Sequence, residues 1–211
     1  MKINSNAGFT LIETLVVMLF SLIALASIYS LFRTQAHSVK GQESRMEAHE
    51  YALSVLDTMV REMRNTGFFP GGTSCANVAN IAGIVTATAQ SFELVYDSNG
   101  DGTCEEDISF TYDSANKDIL RNGSALTDGN ATTIQFTYYP QQTSGTAPAP
   151  FCFSAGNPSG CSGNLSSNLS AVQKIMISIT IQSKSTDTQY GGQSTITMSS
   201  SADLRNHGLP S

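Results

Sequence analysis

An uncharged apolar run dominates the first part of the sequence. The 19 residues between Glu13 and Arg33 include no Asp, Glu, Lys or Arg. As a helix they would extend about 28 Å, which matches the hydrocarbon layer of a bilayer. The first Gly or Pro after Phe9 is Gly41, so no residue of the run is a strong helix breaker. The pattern predicts a membrane-spanning helix over about residues 9–32.

Beyond Gly41 the apolar positions take up a helical period. A buried stripe is predicted at Ala52, Val55, Leu56, Met59, Val60 and Met63, and an exposed face at Glu50, Ser54, Asp57 and Arg61. Asp57 and Arg61 have the spacing of an i,i+4 ion pair. Gly67 is a suitable C-terminal cap, and a Pro-Gly-Gly sequence follows it. We therefore expect one helix over residues 9–66, about 87 Å long, with its second half on a core.

After Gly72 the spacing of the apolar residues changes from a period of 3.6 residues to a period of two residues. Alternating apolar and polar residues predict strands at 91–96, 107–112, 133–138, 173–182 and 194–198. Asn122-Gly123 and Asp128-Gly129 have the composition of hairpin turns, which favours antiparallel pairing. A long amphipathic helix and a half-buried sheet can cover each other's apolar faces. The predicted class is α+β, with the helix packed on an antiparallel sheet and residues 67–211 forming one globular β-rich domain.

Charge narrows the possible functions. Residues 67–211 contain five Lys or Arg and eleven Asp or Glu, within a net charge of -6 for the chain. Nucleic-acid-binding domains usually carry clustered basic residues, so no nucleic-acid partner is predicted. The sequence also contains no nucleophile elbow, P-loop or zinc-protease motif, and we predict that the protein is not an enzyme. Lys2 precedes the apolar run, which favours a cytoplasmic N-terminus and an exported domain.

The cysteines agree with export. All four, Cys75, Cys104, Cys152 and Cys161, follow the predicted helix, and none has the spacing of a zinc site. An even number in an oxidising compartment predicts two disulfides, for which three pairings exist. Cys152 and Cys161 are nine residues apart, so their ring closes at a small entropic cost. This favours the pairs Cys152–Cys161 and Cys75–Cys104.

One acidic loop has the composition of a cation site. Asp97, Asn99 and Asp101 occupy positions 1, 3 and 5 of a calcium-loop pattern, and Gly102 occupies position 6. Position 12 is Ile108, so a closing carboxylate would come from a nearer acid such as Glu105. The alternative is a solvated turn, since turns use the same residue types. Structural calcium at Asp97, Asn99, Asp101 and Glu105 is a hypothesis.

The residues ahead of the apolar run form the most specific motif. Gly8-Phe9-Thr10-Leu11-Ile12-Glu13 resembles the processing site of type IV prepilins and pseudopilins, in which a prepilin peptidase removes a short leader ending in Gly. The resemblance implies that residues 1–8 are the leader, and that Phe9 is the mature N-terminus and becomes N-methylated. It further implies that Glu13 pairs with the amine of Phe9 on a neighbouring subunit during assembly.

The resemblance also sets expectations for fold and function. It implies a pilin-like fold, closest to PilW-like minor pilins and PulJ-like minor pseudopilins. The expected function is initiation or tip assembly of a type IV pilus or a type II secretion pseudopilus. The expected partners are other pilins or pseudopilins, the prepilin peptidase and an inner-membrane assembly platform. The expected location is the inner membrane, with one span and a periplasmic C-terminal domain. The alternative is a pilus-associated or membrane-anchored adhesin or binding module.

Overall fold

A single long helix leads into the β-rich part of the chain. The structure, a computed structural model, describes residues 9–69, 83–101, 103–104, 106–142, 147–153, 157–184 and 193–204. Within these ranges α1 comprises Leu11–Met63, 53 residues and about 80 Å. It continues through Gly41 without interruption. The predicted unbroken helix is confirmed, and its limits differ from the predicted ones by two or three residues.

The end of α1 explains the difference at its C-terminus. Arg64 is the C-cap, and the next residues form tighter turns in which Asn65 N donates to Glu62 O and Thr66 N to Met63 O. Such i→i−3 bonds commonly close a helix. Gly67 then takes a φ of 69°, the left-handed conformation expected of the residue that redirects the chain.

In the described part of the chain, eight strands follow the helix. They are β1 (Ile84–Ala87), β2 (Ser91–Tyr96), β3 (Glu106–Asp113), β4 (Asp118–Arg121), β5 (Ser124–Ala125), β6 (Ala131–Pro140), β7 (Val172–Gln182) and β8 (Thr195–Asp203). All pairings between these strands are antiparallel, so the α+β class and the pairing mode are confirmed. Short 3-10 turns at Leu165–Ser167 and Leu169–Ala171 precede β7.

The strands form two sheets where the sequence predicted one. The first contains β1 to β5 in chain order, and the second has the order β6-β7-β8. Asn122-Gly123 makes the predicted hairpin turn between β4 and β5, with φ of 49° and 77°. Asp128-Gly129 does not make a hairpin, because it lies between β5 and β6, which belong to different sheets. There Gly129 N donates to Asp118 Oδ1 at 2.7 Å.

The second half of α1 packs on the sheets with the face that its helical spacing of apolar residues predicted. All six residues of the predicted stripe are buried, and the four on the opposite face are exposed. The helix packs most extensively on β8 and β7, where Ile175, Ile177, Ile179 and Ile181 are fully buried. Burial also extends towards the N-terminus to Ala48 and Ser44, whose hydroxyl hydrogen-bonds Ser183 Oγ at 2.5 Å. Asp57 and Arg61 form the predicted surface ion pair.

The two sheets share one core. Phe92 of β2 lies against Phe136 and Tyr138 of β6, with ring centroids 5.9 Å apart in both pairs. The Tyr138 hydroxyl donates to Thr88 O at 3.0 Å. Burial raises the pKa of Tyr138 well above its usual value, so this hydroxyl stays protonated and can donate. Phe136 N donates to Ala89 O at 2.8 Å, which joins the backbones of the two sheets.

The C-terminal end of α1 is fixed to the first sheet. Gly67 N donates to Val95 O at 3.2 Å, and Val95 N donates to Gly83 O at 2.8 Å. Arg121 Nε donates to both carboxylate oxygens of Glu62, at 2.8 and 3.0 Å. Gly83 has a φ of 65°, and a Cβ there would lie 2.3 Å from Gly67 N. The helix end and β1 can approach this closely only where residue 83 has no side chain.

Gly83→Ala should therefore destabilise the protein strongly. The added methyl group meets backbone atoms that cannot move aside, and the left-handed conformation adds a further penalty. Together these cost about 2 to 5 kcal/mol. Gly123→Ala is the matched control, because Gly123 also has a positive φ but has nothing within 4 Å of its Cβ position. It should cost about 1 to 2 kcal/mol. Chemical denaturation of the detergent-solubilised chain measures both, and equal losses would refute the steric explanation.

Candidate functional site

The N-terminal end of α1 is capped by its own residues. Thr10 has extended backbone angles, and its hydroxyl accepts a hydrogen bond from Glu13 N at 3.4 Å. Thr10 O accepts from Glu13 N and Thr14 N at 3.0 and 3.2 Å. The Thr14 hydroxyl donates to Leu11 O at 2.8 Å. The two bonds from Glu13 N to Thr10 satisfy a donor that a helix N-terminus otherwise leaves unpaired.

The first half of α1 makes no packing contact that buries it. Every residue from Phe9 to Ala36 is exposed, and the apolar side chains face outward on all sides of the helix. The helix is long and apolar enough to cross a membrane. The hydroxyls of Ser21, Ser27 and Thr34 each donate to the carbonyl four residues earlier, at 2.8 to 3.0 Å. These hydroxyls therefore need no water, as a lipid environment requires.

Glu13 is the one charged residue of this exposed half up to Phe32. It lies in the first turn of α1, where the helix dipole favours a negative charge. Its carboxylate has no hydrogen-bond partner or counter-ion among the described residues. Phe9 is 80% exposed. Gly8 and the predicted leader, residues 1–8, lie outside the described part of the chain.

Thr10 is a site residue that the sequence reasoning missed. The signal was present, because Thr-x-x-Glu ahead of an apolar run is the pattern of a helix-capping box. In the structure the first half of that pattern is formed, since the Thr10 hydroxyl accepts from Glu13 N. The helix thus begins at a fixed residue, and Glu13 is held in its first turn.

The loop after β6 is closed by a disulfide. Cys152 and Cys161 are bonded, with their Cα atoms 5.1 Å apart, as the sequence predicted. The bond lies beside two backbone hydrogen bonds, from Cys152 N to Gly163 O and from Leu165 N to Cys152 O, both 2.9 Å. Phe151 N donates to Tyr138 O and so attaches this loop to β6. Cys104 is also disulfide-bonded. Cys75, its predicted partner, lies outside the described residues, and this pairing stays a prediction.

The acidic loop is organised by its own side chains. Asp97 is buried, and its Oδ1 accepts from Gly100 N at 2.6 Å and from Asn99 N at 3.2 Å. Asn99 Oδ1 accepts from Asp101 N at 2.9 Å. Asp101 Oδ1 accepts from Thr103 N at 2.8 Å. Three of the four predicted ligands, Asp97, Asn99 and Asp101, therefore also stabilise turns of the loop.

This donor set meets only part of what calcium requires. Calcium takes six to eight oxygen ligands. Asp97, Asn99 and Asp101 could supply one or more each, but no group of three His, Cys, Asp or Glu within the described ranges is placed to hold a metal. Glu105 lies outside those ranges. The calcium site stays a prediction, in which carbonyls and water would complete the shell.

If calcium binds the loop, it should raise the thermal midpoint of the detergent-solubilised chain. The gain is about 2.7 kcal/mol at a hundredfold excess over the dissociation constant. Asp101→Asn should remove the gain because it deletes a negative charge while keeping Oδ1 as the acceptor for Thr103 N. Magnesium is the control cation, since it prefers a smaller octahedral shell. If calcium raises the thermal midpoint no more than magnesium does, the loop is a turn and not a calcium site.

Comparisons with known proteins identify no relative. The chain matches no protein-family model, no curated protein and no solved structure.

Proposed function

We propose that this protein is a minor pilin or pseudopilin. In this proposal a prepilin peptidase cuts between Gly8 and Phe9, α1 anchors the subunit in the inner membrane, and the β-rich domain lies in the periplasm. The subunit then takes part in initiation or tip assembly of a type IV pilus or a type II secretion pseudopilus. The resemblance of Gly8 to Glu13 supplies the family, and the structure supplies a physical argument for the anchor.

The observation that carries the proposal is the division of α1 into two halves. Residues 9–36 are exposed on every side, whereas the stripe from Ser44 to Met63 is buried on the sheets. An apolar surface of this extent in water would be an aggregation hazard. A lipid bilayer, or a bundle of similar helices, covers such a surface. One continuous helix thus connects a membrane or filament core to a folded domain.

Glu13 supports the assembly part of the proposal. A carboxylate inside a membrane span costs roughly 2.5 to 3.5 kcal/mol, and such groups usually have a partner. No described residue of its own chain pairs with it. A free N-terminal amine on a neighbouring subunit would provide a charge of opposite sign at the same depth. Cleavage before Phe9 would create that amine.

The disulfides support an exported domain. Cys152–Cys161 is formed, and Cys104 is also disulfide-bonded. Disulfides persist mainly in oxidising compartments such as the bacterial periplasm. This agrees with the orientation that Lys2 favours, in which the chain enters the membrane from the cytoplasm.

Processing is the first test. Intact mass spectrometry of protein purified from a cell that contains prepilin peptidase should show loss of residues 1–8 and one added methyl group on the amine of Phe9. The same chain from a strain without the peptidase should keep residues 1–8. Gly8→Leu should likewise leave the precursor uncut in the membrane. A mature protein that still begins at Met1 would overturn the family assignment.

Glu13→Val tests the assembly contact. The variant should insert into the membrane more easily, because the span loses its charge, yet its incorporation into filaments should fall at least tenfold. Glu47→Val is the matched control, since Glu47 is an exposed acid of the same helix outside the apolar half. It should incorporate normally. Immunoblotting of sheared filament fractions gives the ratio.

A deletion strain distinguishes the two functions that the sequence allowed. Loss of the filaments supports an assembly subunit. Filaments in normal number, with loss of surface binding, would instead support the adhesin alternative. Normal incorporation of the Glu13 variant would show that the carboxylate is not the assembly contact.

A further inference from the structure

The second sheet ends in an open edge at β8. Leu204 N donates to Gln173 O, and Ser194 O accepts from Ser183 N, both at 2.8 Å. In an antiparallel pair, successive residues alternate between facing the partner strand and facing away. The even-numbered residues of β8 therefore bond to β7. The N–H and C=O groups of the odd-numbered residues point to the other side: Thr195, Thr197, Ser199, Ser201 and Asp203.

No described residue pairs with that outer side. β8 is the last strand of its sheet, and none of its five outward-facing residues makes a backbone bond on that side. Nine residues in a strand extend about 30 Å. The edge thus offers a row of donors and acceptors whose natural complement is another extended backbone.

β8 also lacks the features that usually protect an edge. Proteins blunt such strands with Lys, Pro, bulges or short length. β8 contains no Lys or Pro, its only charge is Asp203 at the end, and its nine pairs with β7 show no register shift. The other edges differ. β1 has four residues and a bulge, β5 has two residues, and β6 is covered by Ala89 and Phe151.

An apolar groove runs beside this edge. It has a volume of about 270 Å³ and is lined by Ile196 of β8 and by Arg45, Met46, His49 and Glu50 of α1. Met46 is 63% exposed, and Leu53, two turns further along the same flank, is 46% exposed. Even-numbered side chains of β8, such as Ile196, lie on the helix side. A strand added to β8 would place alternate side chains over this groove.

We propose that the outer edge of β8 and the α1 flank from Met46 to Leu53 form a docking site for an extended segment of another protein. The segment pairs with β8 by main-chain hydrogen bonds. Its alternate residues are apolar and cover Met46, Leu53 and Ile196, and the residues between them are uncharged. The backbone edge gives affinity, and the groove selects side chains.

A second copy of this chain fits the site poorly. Antiparallel pairing of two β8 strands in one continuous sheet requires a twofold axis perpendicular to the sheet. Rotation about that axis reverses every direction in the plane of the sheet. Because α1 packs across the face of the sheet, the α1 helices of the two copies would run in opposite directions. The two apolar halves would then point in opposite directions and could not enter one membrane. This step rests on the membrane anchor of the proposed function, whereas the edge and groove do not.

The test uses the full chain in detergent micelles and a synthetic probe. The probe is an eight-residue peptide of alternating threonine and valine with an N-terminal lysine and blocked ends. Without it, the amides of Thr197, Ser199 and Ser201 should exchange with solvent much faster than those of Met198 and Ser200. With it, the odd-numbered amides should slow at least tenfold, as read residue by residue. A peptide with proline at its central valine should produce no change.

Variants of the edge give the matched comparison. Ser199→Pro removes an outward N–H that does not bond to β7. It should therefore weaken binding of the probe at least tenfold while leaving the sheet intact. Ser199→Ala keeps the N–H and should bind as wild type. Met46→Glu is a second, surface variant that does not alter the strand. Met46→Glu should weaken binding of the probe, whereas Met46→Leu should not.

Three results would overturn the inference. Equal binding by Ser199→Pro and Ser199→Ala would exclude strand addition, and so would protection confined to amides outside β8. Slow exchange of the odd-numbered amides without the probe, together with a dimer that Ser199→Pro dissociates, would make the occupant a second copy. A positive probe result with an unprocessed N-terminus would keep the docking site and reject the pilin assignment, so the two proposals fail separately.

Discussion

The structure depends on one unbroken helix whose two halves have surfaces suited to two different environments. Its backbone hydrogen bonds continue from the Thr10 cap to Met63, past the only Gly within it. A helix satisfies its own backbone and can therefore pass from lipid to water without a new set of partners. What changes along it is only the side chains: apolar on all faces up to Phe32, then charged and polar, then apolar on one stripe. The domain consequently forms at a fixed distance from the membrane-compatible half.

The two sheets hold the buried half of α1 at both of its ends. Near its start, Ser44 bonds to Ser183 at the end of β7. At its end, Glu62 pairs with Arg121 of β4, and Gly67 bonds to Val95 of β2. Because the sheets themselves are joined through Phe92, Phe136 and Tyr138, the helix and both sheets form one hydrophobic core. Movement of the domain relative to the buried part of α1 would disrupt contacts with both sheets.

The sequence predicted the features that depend on a local period. The long strands and both faces of α1 follow from alternation and from the 3.6-residue stripe, and each was confirmed, although β6 and β8 extend beyond the predicted ranges 133–138 and 194–198. Periodicity reveals which face of a strand is buried but not which strand lies beside it. For that reason one sheet was predicted where two exist, and β1, β4 and β5 were missed because four residues or fewer show almost no period.

Dipeptide composition was a similarly incomplete guide to the turns. Asn122 and Gly123 both adopt positive φ and close a hairpin. Of Asp128 and Gly129 only the glycine has a positive φ, and the Asp128 carboxylate pairs with Lys184, which follows β7. The same limit applies to the acidic loop. Its composition suggested cation ligands at Asp97, Asn99 and Asp101. Whether their oxygens bond to backbone amides or to a cation depends on the three-dimensional course of the loop, which composition does not give.

An anchor of this kind also decides which surfaces of the domain can meet. In the proposed anchored state, neighbouring copies would share the direction of α1, so antiparallel pairing of two β8 edges in one continuous sheet would not be available to them. Heterologous contacts that keep the helices aligned remain possible. The covered edge of β6 cannot receive the open edge of β8, which prevents copies from extending the sheet indefinitely. If α1 is anchored as proposed, the shared direction of the helices and the covered edge of β6 would keep β8, whose one charge is Asp203 at its end, from self-association while leaving it accessible to a different chain.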